Sequence, residues 1–343
     1  MTSGGALTPL YTFCLPSQAQ CPAGPTSMLL ATDGNFYGTT SAGGSGLDFG
    51  DGVVFKMSPA GVLTTLYSFC AQANCPDGFM PNGLLQSSDG NFYGTTFNGG
   101  STGCPAGCGT LFKITPAGAL TTLYRFCAQT GCLDGDNPNT GLIQSSDGNF
   151  YGATSGGGAN GNGSIFKITP EGTLTTLYSF CLQTQCADGE FPSAVVLATD
   201  GNFYGTSGGG GAYGSGTVYE LTLEGTLTTL YSFCAQTNCP DGAVPQGMIQ
   251  ARDGNFYGTT ESGGNPTCGT ELADGVPTPF SCGTVFRITP AGALTTLHAF
   301  QSATVDGYGA QGSLLQAANG VLYGTTSQGG PDGDGTVFSL SSQ

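Results

Sequence analysis

The sequence predicts an all-β chain folded as a six-bladed β-propeller with four antiparallel strands per blade, and three observations carry that expectation. A six-residue string, Asp-Gly-Asn-Phe-Tyr-Gly, begins at Asp33, Asp89, Asp147, Asp200 and Asp253, and a degenerate copy, Asn-Gly-Val-Leu-Tyr-Gly, begins at Asn319. The intervals of 56, 58, 53, 53 and 66 residues are those of a repeat built from one supersecondary unit. Within each interval four short apolar runs recur, shown in the second copy by Leu84 to Ser87, Asn91 to Thr96, Thr110 to Thr115 and Leu120 to Phe126. No stretch carries a helical period. The third observation is that the chain ends are complementary. Residues 6–13 match a fourth strand with no first three before it, and Gly335 to Ser342 stops after a third strand. A ring can close if strand 6–13 completes the last blade, 311–342, whereas an open solenoid has no reason to begin and end on fragments of one unit. The expectation is therefore one domain, residues 1–343.

Each element has a local cause. The Ser-Asp-Gly-Asn step between the first two strands carries a two-residue hairpin signal, and Pro-Ala-Gly or a relative joins the last two. Both turns fall at one end of each blade, the bottom; inter-blade loops and the glycine-rich loops between second and third strands fall at the other, the top. Glycine supplies 61 positions and proline 19, while charged residues make up 8% against roughly 25% in ordinary globular chains, which excludes coiled coils and charged helical bundles. Hydrophobic residues at 38%, with 21 Phe and 14 Tyr, suffice for a core. A net charge of −16 repels phosphate backbones and anionic headgroups, so neither nucleic acid nor a membrane surface is an expected partner.

The full pattern of each unit is Asp-Gly, Pro, Gly-Leu-Leu or Gly-Leu-Ile, Ser-Asp-Gly-Asn-Phe-Tyr-Gly-Thr-Thr, Gly-Gly, Gly-Thr-Val-Phe-Lys-Ile. It resembles the GloVer tandem repeat of bacterial extracytoplasmic proteins, over essentially the whole chain. The resemblance implies secretion, often with a C-terminal sorting or anchoring signal, and brings no assigned reaction. No apolar leader precedes Met1-Thr-Ser-Gly-Gly and no anchor precedes Gln343, so the chain reads as a mature or trimmed form. No apolar run is long enough to span a bilayer, so membrane insertion is not expected.

The 14 cysteines fall into seven local pairs. Cys14 with Cys21, Cys70 with Cys75, Cys127 with Cys132, Cys181 with Cys186 and Cys234 with Cys239 flank the same inter-blade loop, and the sixth such loop, after Phe300, lacks both partners together. Cys104 with Cys108 and Cys268 with Cys282 precede a Gly-Thr strand start. Paired presence and absence predicts local disulfides and an extracellular or cell-surface location. Zinc is the competing use, but a structural site needs four ligands, each loop offers two, and His298 sits elsewhere.

No catalytic constellation emerges. His298 replaces the tyrosine of a Leu-Tyr-Ser-Phe strand and reads as a partly exposed strand residue. The repeated Gly-Gly pairs mark tight loops, and Lys56, Lys113, Lys167 and Arg287 form a structural ring at one third-strand position. Most acids lie in top loops. Asp77, Asp134, Asp188, Asp241 and Asp306 either open an Asp-Gly turn at the start of each blade or ring the channel mouth with carboxylates suited to a cationic ligand. No cofactor is required; calcium is the one ion the pattern admits, from Asp134-Gly-Asp136-Asn137 or Asp332-Gly-Asp334-Gly, with Asp332 and Asp334 as the candidate ligands. Aromatics that break the repeat, Phe79, Phe191, Tyr213, Phe280 and Tyr308 above all, fall in top loops and suit a sugar or peptide side chain.

The expected function is a secreted or surface-displayed binding or scaffold module whose acidic, aromatic-bearing top face takes a glycan, a peptide or a cationic ligand. The alternatives are a glycan-active hydrolase or lyase using paired top-face carboxylates, and a structural subunit that self-assembles into a surface layer or fibre. The 66-residue fifth unit, with Glu271, Asp274 and Phe280 between Cys268 and Cys282, is expected to overhang that face.

Deleting residues 1–13 is expected to expose the strand edge around Val337, lowering the melting temperature and producing aggregates visible by light scattering. A truncated chain that melts with the parent and stays monomeric would refute ring closure.

Overall fold

Six antiparallel sheets follow one another along the chain in the computed structural model, each a meander in which neighbours in sequence are neighbours in space. Together they form the six-bladed propeller expected from the repeat. The structure describes residues 9–14, 21–45, 51–100, 103–266, 268–273, 276–280, 282–301, 306–330 and 333–341, with backbone alone for 269–273 and 276–280. Blade 2 shows the plan: Phe79–Gln86, Phe92–Asn98, Thr110–Ile114 and Leu120–Arg125. Blade 3 splits its first strand into Asp136–Pro138 and Ile143–Gln144. Blade 6 contributes Tyr308–Gln316, Leu322–Gln328 and Thr336–Leu340. The chain divides into two compact units. Met1–Gly158 with Ile165–Thr176 holds blades 1 and 2 and most of blade 3, and Ala159–Ser164 with Leu177–Gln343 holds the remainder.

The hairpin between first and second strands differs from the two-residue turn expected. Ala31 N donates to Asn35 O at 2.9 Å and Gly34 N to Ala31 O at 3.0 Å, so three residues form the loop and Gly34 takes φ 79°. This is a tight turn followed by a left-handed residue, which glycine adopts without steric cost. Asp33 fixes the turn: its carboxylate accepts from the Asn35 amide at 3.0 Å, the Tyr37 hydroxyl at 2.9 Å and Lys56 Nζ at 2.9 Å. The Asn35 amide first, then Lys56, hold the Asp33 carboxyl well below the usual carboxylate range. Lys113 with Asp89 and Lys167 with Asp147 repeat the arrangement, whereas Arg287, expected in the same set, forms no ion pair among the described residues and leaves its Nε buried without a hydrogen-bond partner. In blade 4 Glu220 takes the lysine's place and accepts instead from Asn202 Nδ2 at 2.7 Å.

Blades join through aromatic rings. In the first unit Tyr37 stacks on Phe92 and Tyr93 on Phe150, both at 4.2 Å between centroids; in the second, Tyr204 stacks on Phe256 at the same distance. A second contact runs from the fourth-strand Phe to the next third strand, Phe69 to Phe112 and Phe126 to Phe166 at 5.2 Å, Phe233 to Phe286 at 5.3 Å. Each such pair contributes roughly 0.5–1.5 kcal/mol beyond its buried area. Residues near the N-terminus repeat this contact: Phe13 meets Phe55 at 5.5 Å, and Tyr11 and Phe13 pack on Val53, Phe55 and Met57. The expected fourth strand of the last blade is not seen: among the described residues that blade is a three-stranded sheet with Val337 72% exposed, residues 9–13 form no strand, and residues 6–8 lie outside the described ones.

The glycine that follows Phe-Tyr in the repeat makes room for those rings. A Cβ on Gly94 would lie 2.6 Å from Phe112 Cζ and 2.9 Å from the Gly83 carbonyl oxygen, and Gly38, Gly152 and Gly258 face Phe55, Phe166 and Phe286 in the same way. Gly94→Ala is therefore expected to destabilise the chain by about 1–3 kcal/mol through overpacking, read as a lower urea midpoint. An unchanged midpoint would mean that Phe112 turns aside freely.

Candidate functional site

At the top end of each blade the chain leaves the fourth strand, makes a turn closed in most blades by a disulfide, and enters the next blade through an Asp-Gly pair. All seven expected disulfides are present. Cys14 is bonded to Cys21, Cys70 to Cys75, Cys127 to Cys132, Cys181 to Cys186 and Cys234 to Cys239 in the inter-blade turns. Cys104 is bonded to Cys108 and Cys268 to Cys282 ahead of a third strand. None of the described cysteines is free. Within the inter-blade turns Cys127 and Cys132 take φ 59° and 53°, Cys181 and Cys186 61° and 52°, and Cys234 and Cys239 69° and 47°. Closing so short a loop removes roughly 2 kcal/mol of unfolded-chain entropy. The bridge holds a backbone that L-residues adopt reluctantly.

The aspartates do not form the open carboxylate ring that is one of the two sequence expectations; they match the Asp-Gly turn. Asp134 is fully buried and accepts from the Tyr124 hydroxyl at 2.8 Å, the Ala128 amide at 2.9 Å and the Gln129 amide at 3.1 Å. Asp188, also fully buried, repeats this with Tyr178, Leu182 and Gln183. Asp77 accepts from Tyr67 and the Cys70 amide, and Asp241 from Tyr231 and the Cys234 amide; in both, Oδ1 is buried without a hydrogen-bond partner. Asp306 accepts from the Gln301 amide and lies 3.0 Å from His298 Nε2. The lone histidine thus stands in for the tyrosine. Burial first, then the Asp77 bond, pushes the Tyr67 phenol up to about 12, and Tyr231 beside Asp241 matches it. The physical reason for the inward turn is that each loop presents amides that need an acceptor, and a buried carboxylate is tolerated only when it is so satisfied.

The candidate aromatics divide. Phe79 is half-buried against the core shared by blades 1 and 2 and forms one wall of a cavity of about 530 Å³, with Asn74, Cys75 and Pro105. Tyr308 packs against the core shared by blades 5 and 6, which also takes in the buried Cys268 and Cys282. Phe191 and Tyr213, both on blade 4, remain 48% and 55% exposed. Phe280 closes an unforeseen hairpin, Gly269–Ala273 paired with Val276–Phe280, that forms the fifth unit's insertion; its side chain is not described, and Asp274 lies outside the described residues. Of the calcium candidates, Asp332 lies outside them too, and Asp334 is exposed. Burial, then the charge of Asp134, raises the Asp136 carboxyl. Every grouping of three or more metal-ligating side chains among the described residues includes cysteines, and neither the Cys14–Cys21 nor the Cys234–Cys239 bridge belongs to one.

One position escaped the sequence expectations. The second residue of the first strand takes a left-handed backbone in every blade: Gly24, Met80, Asn137, Phe191, Val244 and Gly309, with φ of 63°, 54°, 52°, 56°, 55° and 64°. In blades 2 to 5 its amide reaches back to the previous loop, as in Met80 N to Asp51 O at 2.8 Å and Phe191 N to Asn162 O at 2.9 Å. Glycine and asparagine suit that backbone; methionine, phenylalanine and β-branched valine do not. Aligning the six copies exposes the signal, because glycine or asparagine occupies the position in three of them. Beside Phe191, Glu190 accepts from Asn162 Nδ2 at 2.7 Å, which sets a carboxylate next to an exposed ring.

Tyr178→Phe is expected to cost about 1–3 kcal/mol by leaving part of the buried Asp188 carboxylate unpaired, measured by thermal melting. A melting temperature equal to the parent's would show that the loop amides alone suffice.

A sequence profile of the Gloeobacter/Verrucomicrobia repeat matches residues 24–272. None of the curated proteins matches the chain in sequence. Among solved structures it is similar to selenomethionine-substituted virginiamycin B lyase from Staphylococcus aureus, with TM-score 0.57, 16% identity, 93% of this chain covered and 85% of that one. It is similar also to the PQQ-bound aldose sugar dehydrogenase of Streptomyces coelicolor, with TM-score 0.53, 14% identity and coverages of 94% and 95%. At such identities the likeness concerns the fold.

Proposed function

This chain belongs to the Gloeobacter/Verrucomicrobia repeat family, and on that premise we propose that it is an extracytoplasmic binding module which takes a glycan or peptide at the disulfide-bearing ends of its blades. The observation that carries the proposal is Phe191, a large apolar ring 48% exposed on a left-handed backbone. Such a conformation costs of order 1–3 kcal/mol at a non-glycine residue, and strain of this kind clusters at ligand clamps. Glycine occupies the same place in blades 1 and 6, so the fold itself does not call for phenylalanine. Glu190 and Tyr213 on the same blade supply a carboxylate and a second exposed ring, the mixture that holds sugar rings or peptide side chains. Support for an oxidising location comes from the seven disulfides; no helix among the described residues is long and apolar enough to cross a membrane.

The test separates stability from binding. Phe191→Gly is expected to hold or raise the melting temperature by relieving the strain, while weakening binding about tenfold or more for whatever glycan or peptide an array identifies. Tyr213→Ala should weaken the same ligand. If Phe191→Gly destabilises the chain and leaves array binding untouched, the ring serves packing and the binding site must lie elsewhere.

A further inference from the structure

The disulfides Cys104–Cys108 and Cys127–Cys132 lie against each other, with all four Sγ atoms within 4.8 Å of one another. They come from different loops: the first lies between the second and third strands of blade 2, the second follows its fourth strand. Glycine at 103 permits this approach, since a Cβ there would sit 2.7 Å from Cys127 Sγ and 3.5 Å from Cys108 Sγ. Among the described residues no other two disulfides meet in this way. Cys70 and Cys75 are joined by Asp51, and Cys181 and Cys186 by Glu190, three donors in each case.

In sequence the four cysteines read Cys-x3-Cys-x18-Cys-x4-Cys, two short knuckles separated by the interval usual for tetrathiolate zinc sites. Each loop by itself holds only two thiolates; the fold supplies the missing pair from the adjacent loop. A tetrahedral zinc thiolate with Zn–S of about 2.3 Å places its sulfurs about 3.8 Å apart. On reduction the two sulfurs of each bridge would separate from bonding distance to about 3.8 Å, while sulfurs of different bridges, within 4.8 Å of one another, would close by at most about an ångström.

We propose that Cys104, Cys108, Cys127 and Cys132 form a redox-gated zinc site, holding two disulfides when oxidised and one Zn²⁺ when reduced. Two equivalents of an external dithiol supply the electrons. Each dithiol is oxidised to its own disulfide, and each protein disulfide takes up two electrons and two protons to become two thiols. Zn²⁺ then binds the four sulfurs as thiolates, releasing their protons to solvent. Entry is through Cys104, which lines the cavity of about 530 Å³ together with Phe79, Pro105 and Ala106, whereas Cys108 is fully buried.

The experiment reduces the full chain with a phosphine in the presence of one equivalent of Zn²⁺ or Co²⁺ and removes unbound metal by gel filtration. One Zn²⁺ per chain is expected to be retained, and Co²⁺ should give the intense visible absorption of a tetrahedral tetrathiolate. The double variants C104S/C108S and C127S/C132S should each lose that spectrum and bind metal at least tenfold more weakly, whereas C181S/C186S should keep it. If the reduced chain loses its β-sheet circular dichroism without metal, restoration of that signal by Zn²⁺ in the parent, and not in C104S/C108S, supports the site. A reduced parent that retains no metal overturns the proposal, folded or not, as does equal retention by C104S/C108S and C181S/C186S.

Discussion

The structure depends on one packing constraint, the seating of an aromatic ring from each third strand over a glycine of the second. A blade of four short strands cannot bury both its faces alone, and the neighbour that covers it must come close enough for ring-to-ring contact. Phe112 fills the space that a Cβ at Gly94 would occupy and from there meets Phe69 of the preceding blade. Tyr93, one residue before that glycine, stacks on Phe150 of the next blade. Three adjacent residues of the repeat, Phe-Tyr-Gly, thus supply a ring facing back, a ring facing forward and the gap between. Blade 4 shows the tolerance of the scheme. Tyr219 replaces phenylalanine, and its buried hydroxyl is satisfied by donating to the Ala194 carbonyl at 3.1 Å.

Polar pins hold what the rings leave free. At the bottom, aspartate, tyrosine and lysine share one hydrogen-bonded cluster in each of the first three blades, and the tyrosine that belongs to it in blades 1 and 2 is the same one whose ring stacks on the next blade. Core and turn are therefore set by a single side chain. At the top, the aspartates that open blades 2 to 5 are tied to a tyrosine of the preceding fourth strand and to loop amides, and Asp306 of blade 6 is tied to His298. These contacts explain how a chain with so few basic residues carries 22 acids without exposing all of them. Asp134, Asp188 and Asp241 are buried, where their charge serves as a hydrogen-bond acceptor.

Against that background the exposed and strained residues stand out. In blades 2 to 5 the left-handed position at the start of the first strand is required by the backbone, because its amide reaches the previous loop. The side chain placed there is not. Where the repeat uses Gly24 and Gly309 the position carries no strain, and where it uses Phe191 or Met80 a large apolar side chain is carried outward on a reluctant backbone. Rigid loops closed by disulfides lower the entropy that a ligand must overcome when it orders them, which is consistent with a recognition role for this end of the blades.

The architecture is legible in the chain's own pattern. Repeat period, strand count and cysteine pairing, Cys14 with Cys21 through Cys268 with Cys282, are all written locally, since a β-strand alternates at every second residue and a short disulfide joins neighbours. The same pattern marks Asp77, Asp134, Asp188, Asp241 and Asp306 as a set, but does not say which way they face. That depends on loop amides and on Tyr67, Tyr124, Tyr178 and Tyr231, or His298 in the last case, meeting each carboxylate across a turn of ten residues or fewer. Folding alone brings the loop of Cys104 and Cys108 onto the loop of Cys127 and Cys132, because sequence spacing reports separation along the chain while sulfur-to-sulfur distance is set by how the strands of one sheet bring their loops together. For the same reason the strain at Phe191 was hidden: its backbone angle is fixed by a hydrogen bond to Asn162, 29 residues earlier in the sequence.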